Sequence, residues 1–239
     1  MEIGDQAETS PAGLWLVLEA SSAAGSVALL RVGSRATDGA CLARHGITMG
    51  ASRTDSLFPA VRAMLEQHDK LRELRGVVCG SGPGSFTSLR IAASVGKGLA
   101  HALACPLFAV SSLLLAAASR GTAGAYRVHS DAMRDERYVL DVDIDADGLA
   151  FAIGTVARMT RERLLETIGE RVPLAIGESA NETSPNALYP DAAALLRVRD
   201  WWTAGAQSLD AWEPDYGRLA EAQVKWEVAH DRALPLGEL

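Results

Sequence analysis

The stretch Val77 to Leu103, VVCGSGPGSFTSLRIAASVGKGLAHAL, constrains the fold more than any other part of the chain. Val77-Val78-Cys79 is apolar and β-branched, the pattern of a buried strand. Gly80, Gly82 and Gly84 then permit the positive φ angles and close backbone approach of a tight exit. Ser85 is placed as a helix N-cap. Phe86, Leu89, Ala93, Gly96, Ala100 and Leu103 recur at helical spacing as one face of a helix ending near Leu103. Glycine inside a helix costs roughly 1 kcal/mol against alanine, so Ala92, Ala93, Ser94, Gly96, Gly98 and Ala100 predict a second helix packed closely on them. A glycine turn feeding a helix also aims free N–H groups outward, the geometry that holds phosphate. The stretch has neither the GK[ST] ending of a P-loop nor GxGxxG spacing, so a phosphate loop and a plain turn both stay open.

Gly82-Pro83-Gly84-Ser85-Phe86-Thr87 followed by Leu89-Arg90-Ile91 resembles the GPGSFTGLRIG signature of the TsaB (YeaZ) family, with Ser88 and Ala92 where that family usually has glycine. Glu213-Pro214-Asp215-Tyr216, Arg218, Glu221-Ala222-Gln223 and Lys225-Trp226 are similar to the family's PxYxRxxEAQxKW tail. Asp131-Ala132, Glu136 and Tyr138 match its DARxGEVY run, with Met133 and Asp135 replacing Arg and Gly. Glu19-Ala20-Ser21 stands where the family usually reads IDTS, and Arg53-Thr54-Asp55-Ser56 lacks the histidine of its basic–His–Ser stretch.

The resemblance implies an α/β, actin/Hsp70-like (ASKHA) two-lobed fold with mixed sheets flanked by helices. It implies a non-catalytic dimerisation subunit of the complex that makes N6-threonylcarbamoyladenosine in tRNA. Such a subunit forms a heterodimer with a TsaD-type transferase, meets a TsaE-type ATPase through the complex, reaches tRNA only through it, and can form a homodimer when alone. No catalytic or metal-binding residue is expected in this chain, and no cofactor beyond ATP or ADP at the complex interface. The family contact uses the helices here spanning roughly Asp55 to His68 and Ser85 to Leu103. That places Leu57, Val61, Met64, Leu89, Ala93, Gly96 and Ala100 at the partner interface, and Gly82 to Thr87 with Arg90 in the family motif. The alternatives are a stand-alone actin-like ATPase or kinase and an M22-type (glyco)peptidase homologue.

Composition agrees with a globular protein whose nucleic-acid role needs a partner. The chain has 239 residues, 48% of them hydrophobic, and a net charge of −7 with pI ≈ 5.3, which does not suit holding a polyanion unaided. Cys41, Cys79 and Cys105 are scattered among apolar residues, which argues against a disulfide framework and fits a cytoplasmic location. Residues 1–12 read as a disordered tail, since acids stand where a signal peptide carries bases. Gly98 to Ser119 has no formal charge and is long enough to cross a bilayer. Pro106 and Ser111-Ser112 divide it into a helix end, a strand Leu107–Val110 and a new helix.

Elsewhere, Leu14–Glu19 and Ser26–Val32 read as a hairpin with Gly39–Arg44 as a third strand, and Ser52–His68 as a helix capped by Thr54 or Asp55. A break at Arg120–Gly124 divides an N-terminal lobe, 13–120, from a C-terminal lobe, 121–239. The second lobe is expected to hold strands Tyr126–Ser130, Arg137–Ile144, Leu149–Thr155 and Val172–Ile176, with helices Arg161–Ile168 and Asp191–Trp202. Asp143, Asp145, Asp147 and Gly148 mimic the start of an EF-hand, but Gly154 replaces its bidentate Glu, so a solvated hairpin turn is favoured. Glu19 is read by default as a solvated strand end, and Trp201, Trp202 and Trp212 as packing residues rather than base stackers. His45, His68, His101, His129 and His230 never pair at helical ligand spacing, and no P-loop, GxSxG or Cys/His arrangement offers a nucleophile.

Overall fold

The computed structural model describes residues 11–34, 38–49, 57–68, 71–177 and 188–216. Outside them lie the first ten residues of the expected tail, the Arg53–Ser56 stretch with its two candidate caps, the Arg218–Trp226 motif and His230.

Gly13–Glu19 (β1), Ala24–Val32 (β2), Gly39–Thr48 (β3), Leu74–Gly80 (β4) and Leu107–Val110 (β5) form one sheet in the order β3-β2-β1-β4-β5. The joins of β1 with β2 and β2 with β3 are antiparallel, and those of β1 with β4 and β4 with β5 parallel. Gly124–Asp131 (β6), Glu136–Ile144 (β7), Ala150–Thr160 (β8) and Val172–Ala175 (β9) form the second sheet in the order β8-β7-β6-β9. Its two antiparallel joins and one parallel join repeat the pattern of β3-β2-β1-β4. The helices are Leu57–His68 (α1), Phe86–Ala102 (α2), Ser112–Arg120 (α3) and Arg161–Thr167 (α4). The fold is the two-lobed α/β, actin/Hsp70-like arrangement of mixed sheets flanked by helices.

The unbroken apolar run of β1 follows from burial on both faces. Leu14, Leu16 and Leu18 point into a core with Leu57, Val61 and Met64 of α1 and Ala92 and Ala100 of α2, while Trp15 and Val17 face a second core. That second core is centred on α3, whose Leu113, Leu115, Ala116, Ala117 and Ala118 are fully buried and which packs against Tyr126, Val128, Leu140 and Val142 of the second sheet. A helix wedged between two sheets has no polar face to offer, which explains the charge-free run from Ser112 to Ser119. Each fully buried leucine contributes about 1.5–3 kcal/mol. Among the described residues no helix is long and apolar enough to cross a membrane.

Residues 188–216 touch both sheets: Leu188 and Val198 bridge to Ile176 and Ala150 beside the second, and the segment also reaches the first. Asp191 pairs with Arg44 at 2.5 Å, Ala192 N donates to Ser26 Oγ, Gln207 N donates to Leu107 O, and Asp215 N donates to Ser81 O. Leu209 and Trp212 pack on the α1/α2 core. The helix expected over Asp191–Trp202 is only the 3-10 turn Ala192–Arg197. Val198 turns extended to pair with Ala150, and Asp200 takes φ 47°, so helical geometry cannot continue. Trp201 does pack as expected, edge-on to Trp15 at 4.9 Å and to Phe108 at 5.5 Å.

Candidate functional site: the cleft between the lobes

The repeated strand pattern brings equivalent loops to one place. Strand β1 ends at Glu19 and turns through Ala20 into β2; β6 ends at Asp131 and turns through Ala132 into β7. Gly80 closes β4, and Gly177 follows β9 at the same step of the second sheet. These loops line a cleft of about 420 Å³, with Ser21 and Ser22, Pro83 to Thr87, Ser130 to Met133, Tyr138, Ile176 and Gly177 around it. The family motif therefore does stand at a cleft. The one charged side chain among the described lining residues is Asp131, and it is paired with Arg137 at 2.9 Å.

The motif loop is tied down from several sides. Ser85 N donates to Ser21 O at 2.8 Å, Gly82 N to Ser112 Oγ at 3.1 Å, and Ser112 N to Gly82 O at 2.9 Å. Gly82 has φ 92°, and a Cβ there would overlap Asp215 O; a Cβ at Gly84 would overlap Ser21 O. Both glycines are thus explained by close backbone approach within the protein, and two of the loop's N–H groups are already used inside it. Those N–H groups do not fit the phosphate-loop reading, because neither is left to meet an anion. Ser85 occupies the expected N-cap position of α2, but its hydroxyl pairs with Ser88 Oγ at 3.1 Å instead of capping the helix. Phe86 packs on Tyr216 at 4.6 Å, Arg90 lies over Phe86, and Tyr216 donates to Glu213 at 2.7 Å.

Glu19 departs most from its sequence reading. It is fully buried rather than solvated. Its Oε1 accepts from Ser21 N at 2.7 Å and its Oε2 from Ser112 Oγ at 2.8 Å. Burial pushes its carboxyl above the ordinary carboxylate range, and the hydrogen bonds from Ser21 and Ser112 oppose that shift. Burial and the nearby Glu19 together push the Cys79 thiol up to about 12.

The seven residues expected at a partner interface need a correction. Leu57, Val61, Met64, Leu89, Ala93 and Ala100 are at most 5% exposed. A Cβ on Gly96 would overlap Cys79 Sγ and lie 3.5 Å from Leu107. At Gly96 the small face of α2 lies on its own sheet, where β4 and β5 approach, while Ala92 and Ala100 share a core with α1. What α1 and α2 leave open is the opposite side: Phe58, at 57% exposure, with Arg62, Thr87, Arg90, Ser94 and Gly98.

Other candidate chemistry resolves into structure. Asp145 Oδ1 accepts from Asp147 N and Leu149 N within the β7–β8 turn, and the Asp145 carboxylate pairs with Arg199, while Asp143 pairs with Arg171. Among the described residues no His, Cys, Asp and Glu gather in a group of three that could hold a metal. Sequence reasoning missed Ser112, Ser130 and the Ile176-Gly177 wall, since their roles depend on which strands become neighbours.

A two-lobed α/β chain of actin-like architecture, with its cleft between repeated strand–turn–strand units, is the class that fold and site define. A family profile described as TsaD: tRNA N6-adenosine threonylcarbamoyltransferase matches residues 51–207, more than half of the chain. YeaZ from Pseudomonas aeruginosa is 30% identical, with 85% of this chain and 99% of that one covered at a TM-score of 0.69. The chain belongs to the TsaB/YeaZ family, whose members are named for tRNA threonylcarbamoyladenosine biosynthesis. The TsaB of Bacillus subtilis (strain 168) is 26% identical over 237 residues, covering 88% of this chain and 96% of that protein. The TsaB of Escherichia coli (strain K12) is 30% identical over 135 residues, covering 53% and 58%.

Proposed function

We propose that this chain is a non-catalytic dimerisation subunit in tRNA threonylcarbamoyladenosine biosynthesis, binding a TsaD-type transferase and supporting its activity. The observation that carries the reading is the fate of Glu19. The acid at the head of the first hairpin is sealed behind Gly80 with both oxygens engaged inside the lobe. A group so enclosed supports the structure instead of meeting a substrate. The open side of α1 and α2, with Phe58 projecting and Thr87, Ser94 and Gly98 offering little bulk, supports a docking role for these helices.

Nucleotide at the joint surface is part of the proposal only for the complex, because the cleft's described lining offers no cation to a polyphosphate. The test is reconstitution. The transferase should form a heterodimer with this chain and transfer threonylcarbamoyl to tRNA faster in its presence. Metal- or ATP-dependent turnover by this chain alone, surviving rigorous purification, would favour the peptidase or ATPase reading instead.

A further inference from the structure

Three segments are fastened together around one buried carboxyl. Glu19 Oε1 takes Ser21 N of the β1–β2 turn; Glu19 Oε2 takes the hydroxyl of Ser112, the first residue of α3. Ser112 Oγ in turn accepts from Gly82 N, and Ser112 N donates to Gly82 O, so the motif loop is fastened to the same point. Ser21 O then accepts from Ser85 N, the residue before α2. Gly80 completes the arrangement, since a side chain there would occupy the place of Oε2.

We infer that Glu19 is a positioning residue: through Ser112 and Ser21 it clamps the β1–β2 turn, the Gly80–Ser85 loop and the start of α3 into one unit, and so sets the first turn of α2. That turn carries the exposed Thr87 and leads into Arg90, and the inference rests on the proposed role of α2 in partner docking. The length of glutamate matters to the clamp, because one side chain must reach both its own turn and Ser112 across the end of β4. Removing either partner leaves a buried polar group unsatisfied, and the strain falls on the loop feeding α2.

The experiment compares Glu19→Gln, Glu19→Ala and Ser112→Ala in the full chain. Circular dichroism reports folding, calorimetry reports binding of the TsaD-type subunit, and hydrogen exchange reports the Ser85–Leu89 amides. Glutamine still accepts from Ser21 and can donate to the free lone pair of Ser112 Oγ, losing only the bond that Ser112 donates, so its affinity should fall between wild type and the alanine variants. The alanine variants should bind about tenfold more weakly and exchange those amides about tenfold faster, with the rest of the lobe unchanged. If Glu19→Ala fails to fold, Ser112→Ala carries the comparison. Folded Ser112→Ala protein with wild-type affinity and wild-type exchange would overturn the inference. Failure of the wild-type chain to bind any TsaD-type subunit would instead defeat the docking reading, and faster exchange in Ser112→Ala would still uphold the clamp.

Discussion

A methyl group added at Gly80 would overlap the Glu19 carboxylate, whereas one added at Gly98 would meet no atom within 4 Å. Gly98→Ala should therefore stabilise the isolated chain by about 0.5–1 kcal/mol through helix propensity alone. Gly80→Ala should destabilise it by about 1–3 kcal/mol through forced displacement of Glu19. Thermal unfolding of both variants in one buffer checks the pair, and a Gly80→Ala protein as stable as wild type would count against the enclosed carboxyl. His129 makes a second residue-scale case. It is buried on β6 with no hydrogen-bond partner on either ring nitrogen among the described residues, and burial, with Arg137 adding to it, holds its pKa down to about 4 from an ordinary 6.5. A depressed histidine binds protons more readily when unfolded. Its contribution to stability is full above pH 6.5 and is lost as pH falls from there toward about 4. Glu19 acts in the opposite sense, since its raised pKa contributes stability at low pH that is lost as pH rises through the folded value. In denaturant titrations across this range, His129→Leu should lose part of the acid-side slope; an unchanged slope would show that other groups set it.

At the scale of elements, α2 shows both what the sequence conveyed and what it withheld. Its limits were legible to within a residue, because a glycine exit, a serine cap and helical spacing are local signals. The direction of its small face was not, because a stripe of alanine and glycine suits a neighbouring helix or a sheet equally well. Only the approach of Cys79, Leu107 and Leu18 to Gly96 decides it. The same division holds elsewhere. The β5 strand and the start of α3 follow from Pro106 and paired serines, while the burial of Glu19 depends on α3 delivering Ser112 to the end of β1, which no local pattern encodes. The expected effect of Gly96→Leu changes accordingly. With Cys79 Sγ in the way, the larger side chain should destabilise the lobe by about 1–3 kcal/mol or more, where an interface position would have left it folded. A Gly96→Leu protein with wild-type thermal stability and lost partner binding would restore the interface reading of that face.

For the molecule as a whole, the question is whether it can engage tRNA without a partner. Net charge is −7, from 30 acidic and 23 basic residues, so long-range forces oppose a polyanion. The distribution of the basic side chains matters more than the sum. Arg127 and Arg171 are engaged with Asp141, Arg171 also with Asp143, Arg137 with Asp131, Arg199 with Asp145, and Arg44 with Asp191. A guanidinium already held by a carboxylate must give up that contact before it can neutralise a phosphate, so these five arginines offer little counterion release to drive binding. These five arginines join strands and fasten the 188–216 segment to its neighbours, which accords with the proposed subunit role. The isolated chain is expected to bind tRNA more weakly than about 1 µM at physiological salt, with a shallow dependence of affinity on salt. Retention on filters over a salt series measures both quantities. Sub-micromolar binding with a steep slope would mean that a basic surface exists which these ion pairs do not quench, and would give the chain a tRNA contact of its own.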